Sequence, residues 1–140
     1  MKIEKRPRLT FWSILILLSP TMYACSGDGI FSRETIIYGR VTEITGQPVD
    51  SVQFVISAYK DLGNIKALFR VLSDHDGNYE AIVDAPKEYA GIDITVAGVD
   101  NPAFHLTYRG YGVYKDGNKV NYCCTVRVGG KVRYDFKVFK

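Results

Sequence analysis

The sequence predicts an all-β protein, an antiparallel β-sandwich of about seven or eight strands. Three observations carry that prediction. From residue 36 onward apolar and polar side chains alternate at a period of two. Each alternating run is bounded by Gly, Pro, Asp or Asn. No segment of this region sustains a helical period. Residues 36–140 are enough for one domain with a real core, and no repeat or low-complexity block interrupts them.

The runs follow in order. In IIYGRVTEI, residues 36–44, Ile37, Gly39 and Val41 share one face. TGQPVD, residues 45–50, supplies Gly46 and Pro48 for a turn. SVQFVISAY, residues 51–59, then directs Val52, Phe54, Ile56 and Ala58 inward. KALFRVL and NYEAIVD flank SDHDG, residues 73–77. A three-residue loop ending at Gly77 would put Ala67, Phe69 and Val71 on the face of Tyr79, Ala81 and Val83, so these runs read as a hairpin. GIDITVAG, residues 91–98, adds Ile92, Ile94 and Val96.

Near the C-terminus an Asp116-Gly117 turn sets Val113 opposite Val120 and Tyr111 opposite Tyr122. A two-residue Gly129-Gly130 turn would place Asp135 opposite Cys124, which fails as a core face. Extending the loop to Lys131 pairs Val128 with Val132, Val126 with Tyr134, Cys124 with Phe136 and Tyr122 with Val138. That register buries Cys124 and turns Cys123 outward.

The N-terminus has a different character. Lys2, Lys5, Arg6 and Arg8 precede an apolar stretch, residues 9–18, about half the roughly 20 residues a bilayer-spanning helix needs. A secretory signal fits better than a membrane span. Pro20 breaks the helix, and the small Ala24 stands directly before Cys25. This arrangement resembles the lipobox of bacterial lipoproteins, with Met22 and Tyr23 where leucine and a small residue are commoner. The resemblance implies cleavage after residue 24 and acylation of Cys25, with a short tether over residues 25–35 and the sandwich over residues 36–140. It places the protein in the bacterial cell envelope, anchored through lipid, most naturally to the outer membrane. The alternative is an ordinary signal peptide that leaves Cys25 as a thiol or in a disulfide.

Cysteine count and charge bear on the same question. Cys25, Cys123 and Cys124 are an odd set for an exported chain, and lipid on Cys25 removes the oddness. The adjacent Cys123 and Cys124 point to opposite faces if they lie on a strand, so a mutual disulfide is not expected there. No metal site is expected, because His75 and His105 form no ligand spacing with the cysteines. Taking four bases from the 18 Lys and Arg and one acid from the 15 Asp and Glu leaves 14 of each sign after cleavage. A neutral body lacks the positive excess that nucleic-acid binding requires. It also lacks a polybasic patch, so attachment must come from acyl chains.

Gly39, Val41, Gly46, Pro48, Val49 and Val52, with Asp76, Gly77 and Tyr79 in SDHDGNYEAIV, resemble the carboxypeptidase regulatory-like domains. The resemblance covers about residues 36–97, and residues 99–140 match no part of it. It implies a transthyretin-like sandwich and a non-catalytic, often exported module. Other motifs are weaker. Asp74, Asp76 and Asn78 alternate as in a calcium loop, but Tyr79 and Ala85 hold the sixth and twelfth positions, where glycine and glutamate are needed. A turn is the simpler account. YRGY, residues 108–111, resembles the ending of transthyretin-like hydroxyisourate hydrolases, yet it is internal here.

No cofactor is expected, and the chain reads as a non-enzyme unless His105, Cys123 and a carboxylate such as Asp135 converge on a pocket. The expected role is a binding or accessory module that meets membrane lipid through Cys25 and presents its sandwich to a protein or glycan. Tyr108 and Tyr114 are the candidate partner surface, since tyrosines on a sheet stack well against ligands. The competing role is an assembly subunit that uses an exposed sheet edge. A hydroxyisourate-hydrolase-like enzyme is the third alternative.

Overall fold

A computed structural model describes residues 32–61, 63–97 and 102–140. Cys25, the signal segment and most of the tether lie outside the described residues. Nine strands appear among the described residues: β1 (Glu34–Glu43), β2 (Gln53–Tyr59), β3 (Ile65–Leu72), β4 (Asn78–Asp84), β5 (Gly91–Val96), β6 (Gly110–Lys115), β7 (Asn118–Val120), β8 (Thr125–Arg127) and β9 (Lys131–Phe139). They form a five-stranded sheet ordered β4-β1-β9-β6-β7 and a four-stranded sheet ordered β3-β2-β5-β8. The sandwich expected from the alternation is present, with one or two strands more. A six-residue helix, α1 (Pro102–Thr107), was not expected. It is too short to show a helical period and is held by burial of Phe104.

Alternation decides what each strand buries. Ile37, Gly39 and Val41 are inward on β1. Val52 and the β2 residues Phe54, Ile56 and Ala58 are buried, as are Tyr79, Ala81 and Val83 on β4, Ile92, Ile94 and Val96 on β5, and Val132, Tyr134, Phe136 and Val138 on β9. The centre is a three-ring cluster that joins the two sheets. Phe54 of the smaller sheet lies 4.4 Å from Tyr79 and 5.0 Å from Phe136, both of the larger one.

The pairing of strands differs from the local expectation in three places. First, β3 and β4 are not a hairpin: β3 pairs with β2, and β4 pairs with β1 in the other sheet. The intervening residues are tied elsewhere. The buried Ser73 hydroxyl accepts from Val52 N at 2.9 Å and donates to Val49 O at 2.8 Å. Four residues on, the Gly77 carbonyl accepts from Val41 N of β1 at 2.8 Å. A register irregularity between Ile56 and Ser57 also shifts the phase of β3, so Leu68 and Val71 pack on the core while Ala67 and Phe69 are exposed.

Second, β8 and β9 are not a hairpin. β8 pairs with β5, while β9 lies parallel to β1 and antiparallel to β6. The turn between them is fastened to β1 instead: Gly129 N donates to Thr35 Oγ1 at 2.9 Å, and Ile36 N donates to Gly130 O at 3.0 Å. Third, the β6–β7 hairpin has the expected Asp116-Gly117 turn, both residues at positive φ, and the expected pair Val113 and Val120. It ends there, however, and Tyr122 is 95% exposed rather than opposite Tyr111.

Two further expectations are corrected. The sandwich begins before residue 36, since Thr35 is fully buried and the Arg33 guanidinium donates to the carbonyls of Ala85, Pro86 and Tyr89. Cys123 and Cys124 are joined by a disulfide. Opposite faces separate neighbouring side chains only on a strand, and residues 121–124 are outside any strand. The expected orientation holds all the same, with Cys124 buried and Cys123 exposed.

Ser73 gives a direct check on the crossover. Ser73→Ala leaves Val52 N and Val49 O without their shared partner in a buried setting, so a loss of about 1–3 kcal/mol is expected. The shift in the urea unfolding midpoint, at unchanged slope, measures it.

Candidate functional site

Because the inward positions are filled, the outward positions of the larger sheet form its exposed face. On β9 these are Lys131, Arg133, Asp135 and Lys137, on β1 Tyr38 and Arg40, on β6 Gly112 and Tyr114, and on β7 Lys119. Several of these groups serve one another. Asp135 accepts from Arg40 N at 2.9 Å and from Arg133 Nε at 3.0 Å, and this contact raises the Arg133 pKa. Arg40 Nε in turn donates to Asp76 O at 2.9 Å. The central stretch is thus largely self-satisfied. Lys131 stands over the Tyr38 ring at 5.2 Å, and both help line a groove of about 590 Å3 with Arg40 and Arg133.

Toward the β6–β7 side the arrangement changes. Lys137 Nζ lies 4.8 Å from the centre of the Tyr114 ring, a cation–π distance. Lys119 is directly opposite Tyr114 across the hairpin, and Gly112 is opposite Lys137 across the β6–β9 ladder. With no side chain at Gly112, these residues enclose a recess of about 320 Å3 whose lip is formed by the exposed Ile44 and Phe139. Among the described residues neither Lys119 nor Lys137 meets a carboxylate.

The two tyrosines singled out from the sequence therefore have different settings. Both are half-buried. Tyr114 is a wall of the recess. Tyr108 packs 5.4 Å from Phe104 and donates to Glu43 Oε1 at 3.2 Å. Burial, then this hydrogen bond, raises its pKa. Lys140 completes the group at 3.0 Å from Glu43, which lowers the Glu43 pKa and raises that of Lys140. Tyr108 is better described as a tie between α1 and the end of β1 than as an open surface.

The remaining candidates are each engaged. Cys123 is in the disulfide, His105 stands edge-on to Phe104 at 5.7 Å, and Asp135 serves Arg40 and Arg133. His75 is exposed in its turn, 3.1 Å from Asp76. Asp74 uses its carboxylate to accept from Asp76 N and Asn78 N, which closes that turn. Sequence reasoning missed Gly112, Lys119, Lys137, Ile44 and Phe139. The Asp116-Gly117 register already set Lys119 opposite Tyr114, whereas Lys137 joins them only through the β6–β9 pairing.

No protein-family model matches this chain, and no curated protein matches it. Among solved structures, a mutant form of a pilus-presented adhesin is similar to 76% of this chain at 16% identity and a TM-score of 0.33. The match spans 27% of the adhesin chain. A likeness at that score carries no argument about function.

Proposed function

We propose that this protein is a non-catalytic binding or accessory module of the bacterial cell envelope, held to a membrane by acyl chains on Cys25. The larger sheet presents its β6–β7–β9 side to a protein or glycan partner. The single observation that supports this reading is the recess at Tyr114, where an aromatic ring, two lysines without carboxylate partners among the described residues and two exposed apolar side chains meet. Binding surfaces combine apolar contact with a few placed polar groups in this way. The anchoring half is supported by the cationic lead, the short apolar stretch and the Ala24-Cys25 pair. No helix among the described residues is long and apolar enough to cross a membrane.

Anchoring is tested by Cys25→Ala. The unsubstituted protein is expected in the detergent-soluble membrane fraction and to take up labelled fatty acid. The variant is expected to lose the label and most of its membrane retention, because no polybasic patch replaces the acyl chains. Equal membrane retention in both would contradict the anchor. The surface is tested by binding of the purified Cys25→Ala protein, which lacks the acyl chains, to an isolated envelope fraction, which a further Tyr114→Ser substitution is expected to weaken; all envelope-binding comparisons use this background.

One observation favours the assembly-subunit reading. β3 is an eight-residue strand at a sheet edge, with Ile65 66%, Leu72 59% and Phe69 39% exposed. Such an edge can accept a further strand. A stable oligomer in sedimentation, independent of Tyr114, would support that reading.

A further inference from the structure

We infer that the recess floored by Gly112 is a subsite for an anionic sugar residue, one carrying a carboxylate or sulfate group, within a polysaccharide chain. The inference rests on the proposed reading of this face as a binding surface and names the chemistry it takes. Lys119 and Lys137 converge on the recess from two strands, and neither has a carboxylate partner among the described residues. Both lysines line the recess, so an anion bound there gains from two positive charges. The mature body is formally neutral, so the positive charge here is a local arrangement.

The shape of the recess favours a ring. A Cβ built on Gly112 would lie 3.7 Å from Tyr114 Cε2 and 4.0 Å from Lys119 Cε, so the floor is open yet within contact distance of an aromatic edge and a lysine stem. At about 320 Å3 the recess is at the small end of ligand cavities. Its lip, Phe139 and Ile44, is apolar and exposed, which suits the C–H face of a pyranose. A neighbouring recess of about 610 Å3 shares Gly112, Lys119 and Phe139 and is lined further by Tyr111, Val113, Val120, Asn121 and Cys123.

The test uses full-length protein in detergent micelles titrated with polygalacturonate fragments, dextran sulfate, neutral dextran and poly-glutamate. At least one anionic glycan is expected to bind, more weakly as salt rises. Neutral dextran is expected not to bind, and poly-glutamate to bind about tenfold or more weakly than the glycan. Combined Lys119→Met and Lys137→Met substitution is expected to weaken glycan binding about tenfold or more, with recovery in the Lys119→Arg, Lys137→Arg pair. Gly112→Val, at an outward strand position where valine is favoured, is expected to fill the floor and remove binding with the thermal transition retained. If that variant does not fold, the lysine pairs decide.

Equal binding of poly-glutamate, unchanged glycan binding in the lysine-to-methionine variant, or no binding of either anionic glycan overturns the sugar subsite. The envelope-binding assay separates this from the broader reading. Envelope binding that falls in the lysine variant without any glycan binding retires the sugar and keeps the surface. Envelope binding unchanged in both the lysine variant and Tyr114→Ser retires both.

Discussion

Phe54→Ala is expected to lower the unfolding free energy by about 3–5 kcal/mol, the usual range for removing a buried aromatic ring. Phe54 is fully buried and is the contribution of the smaller sheet to the three-ring cluster, against Tyr79 at 4.4 Å and Phe136 at 5.0 Å. The loss has two parts: the transfer free energy of the ring and the cavity left between two sheets that cannot both move inward. Each sheet is braced by its own ladder, so collapse around the missing ring is limited. Since a domain of this kind has about 5–15 kcal/mol in total, the variant sits near the limit of folding. Urea unfolding followed by far-UV circular dichroism measures the change. Phe54→Leu, which keeps most of the volume, is expected to lose much less. Comparable losses in both variants would show that the cluster does not brace the sheets.

Gly39→Ala is the second large effect, and its cause is steric. The parallel β1–β9 ladder pairs Tyr38 with Arg133 and Val41 with Phe136, with the same offset on both sides. Between them a Cβ on Gly39 would land on the carbonyl oxygen of Tyr134, which is backbone and has little freedom to yield. That carbonyl also accepts from the Tyr79 hydroxyl at 2.6 Å, and burial raises the pKa of this hydroxyl. A methyl group at residue 39 must part the two central strands or displace the Tyr79 bond. A cost of about 1–3 kcal/mol or more is expected. The control is Gly112→Ala, whose Cβ meets only side chains at ordinary contact distances. Its expected effect is within about 0.5 kcal/mol of zero or stabilising. Equal losses at the two positions would remove the steric account.

The candidate site was half legible. Tyr114 stands out in the sequence as a tyrosine on a sheet, able to stack against a ligand, and the Asp116-Gly117 turn sets Lys119 across from it. Lys137 and Phe139 could not be added, because the expected partner of β9 was the preceding strand rather than β6. Tyr108 carries the same stacking expectation but lies outside any strand, and its hydroxyl donates to Glu43, a contact between residues far apart in the chain. The adjacent cysteines mark another boundary. Reasoning from strand geometry holds only where there is a strand, and the chain leaves that geometry after Val120.

What the sequence determined by itself is the inward face of most strands, the class of the fold and the Asp116-Gly117 hairpin. These are local matters: neighbouring side chains on a strand point opposite ways whatever the strand pairs with, and a two-residue turn sets its own register. Which sheet each strand joins was decided only in the tertiary structure. There the buried hydroxyls of Ser73 and Thr35 and the Gly77 carbonyl satisfy distant backbone groups and carry the chain from one sheet to the other. A buried polar group must find a partner somewhere, but its identity is set by packing and not by spacing along the chain.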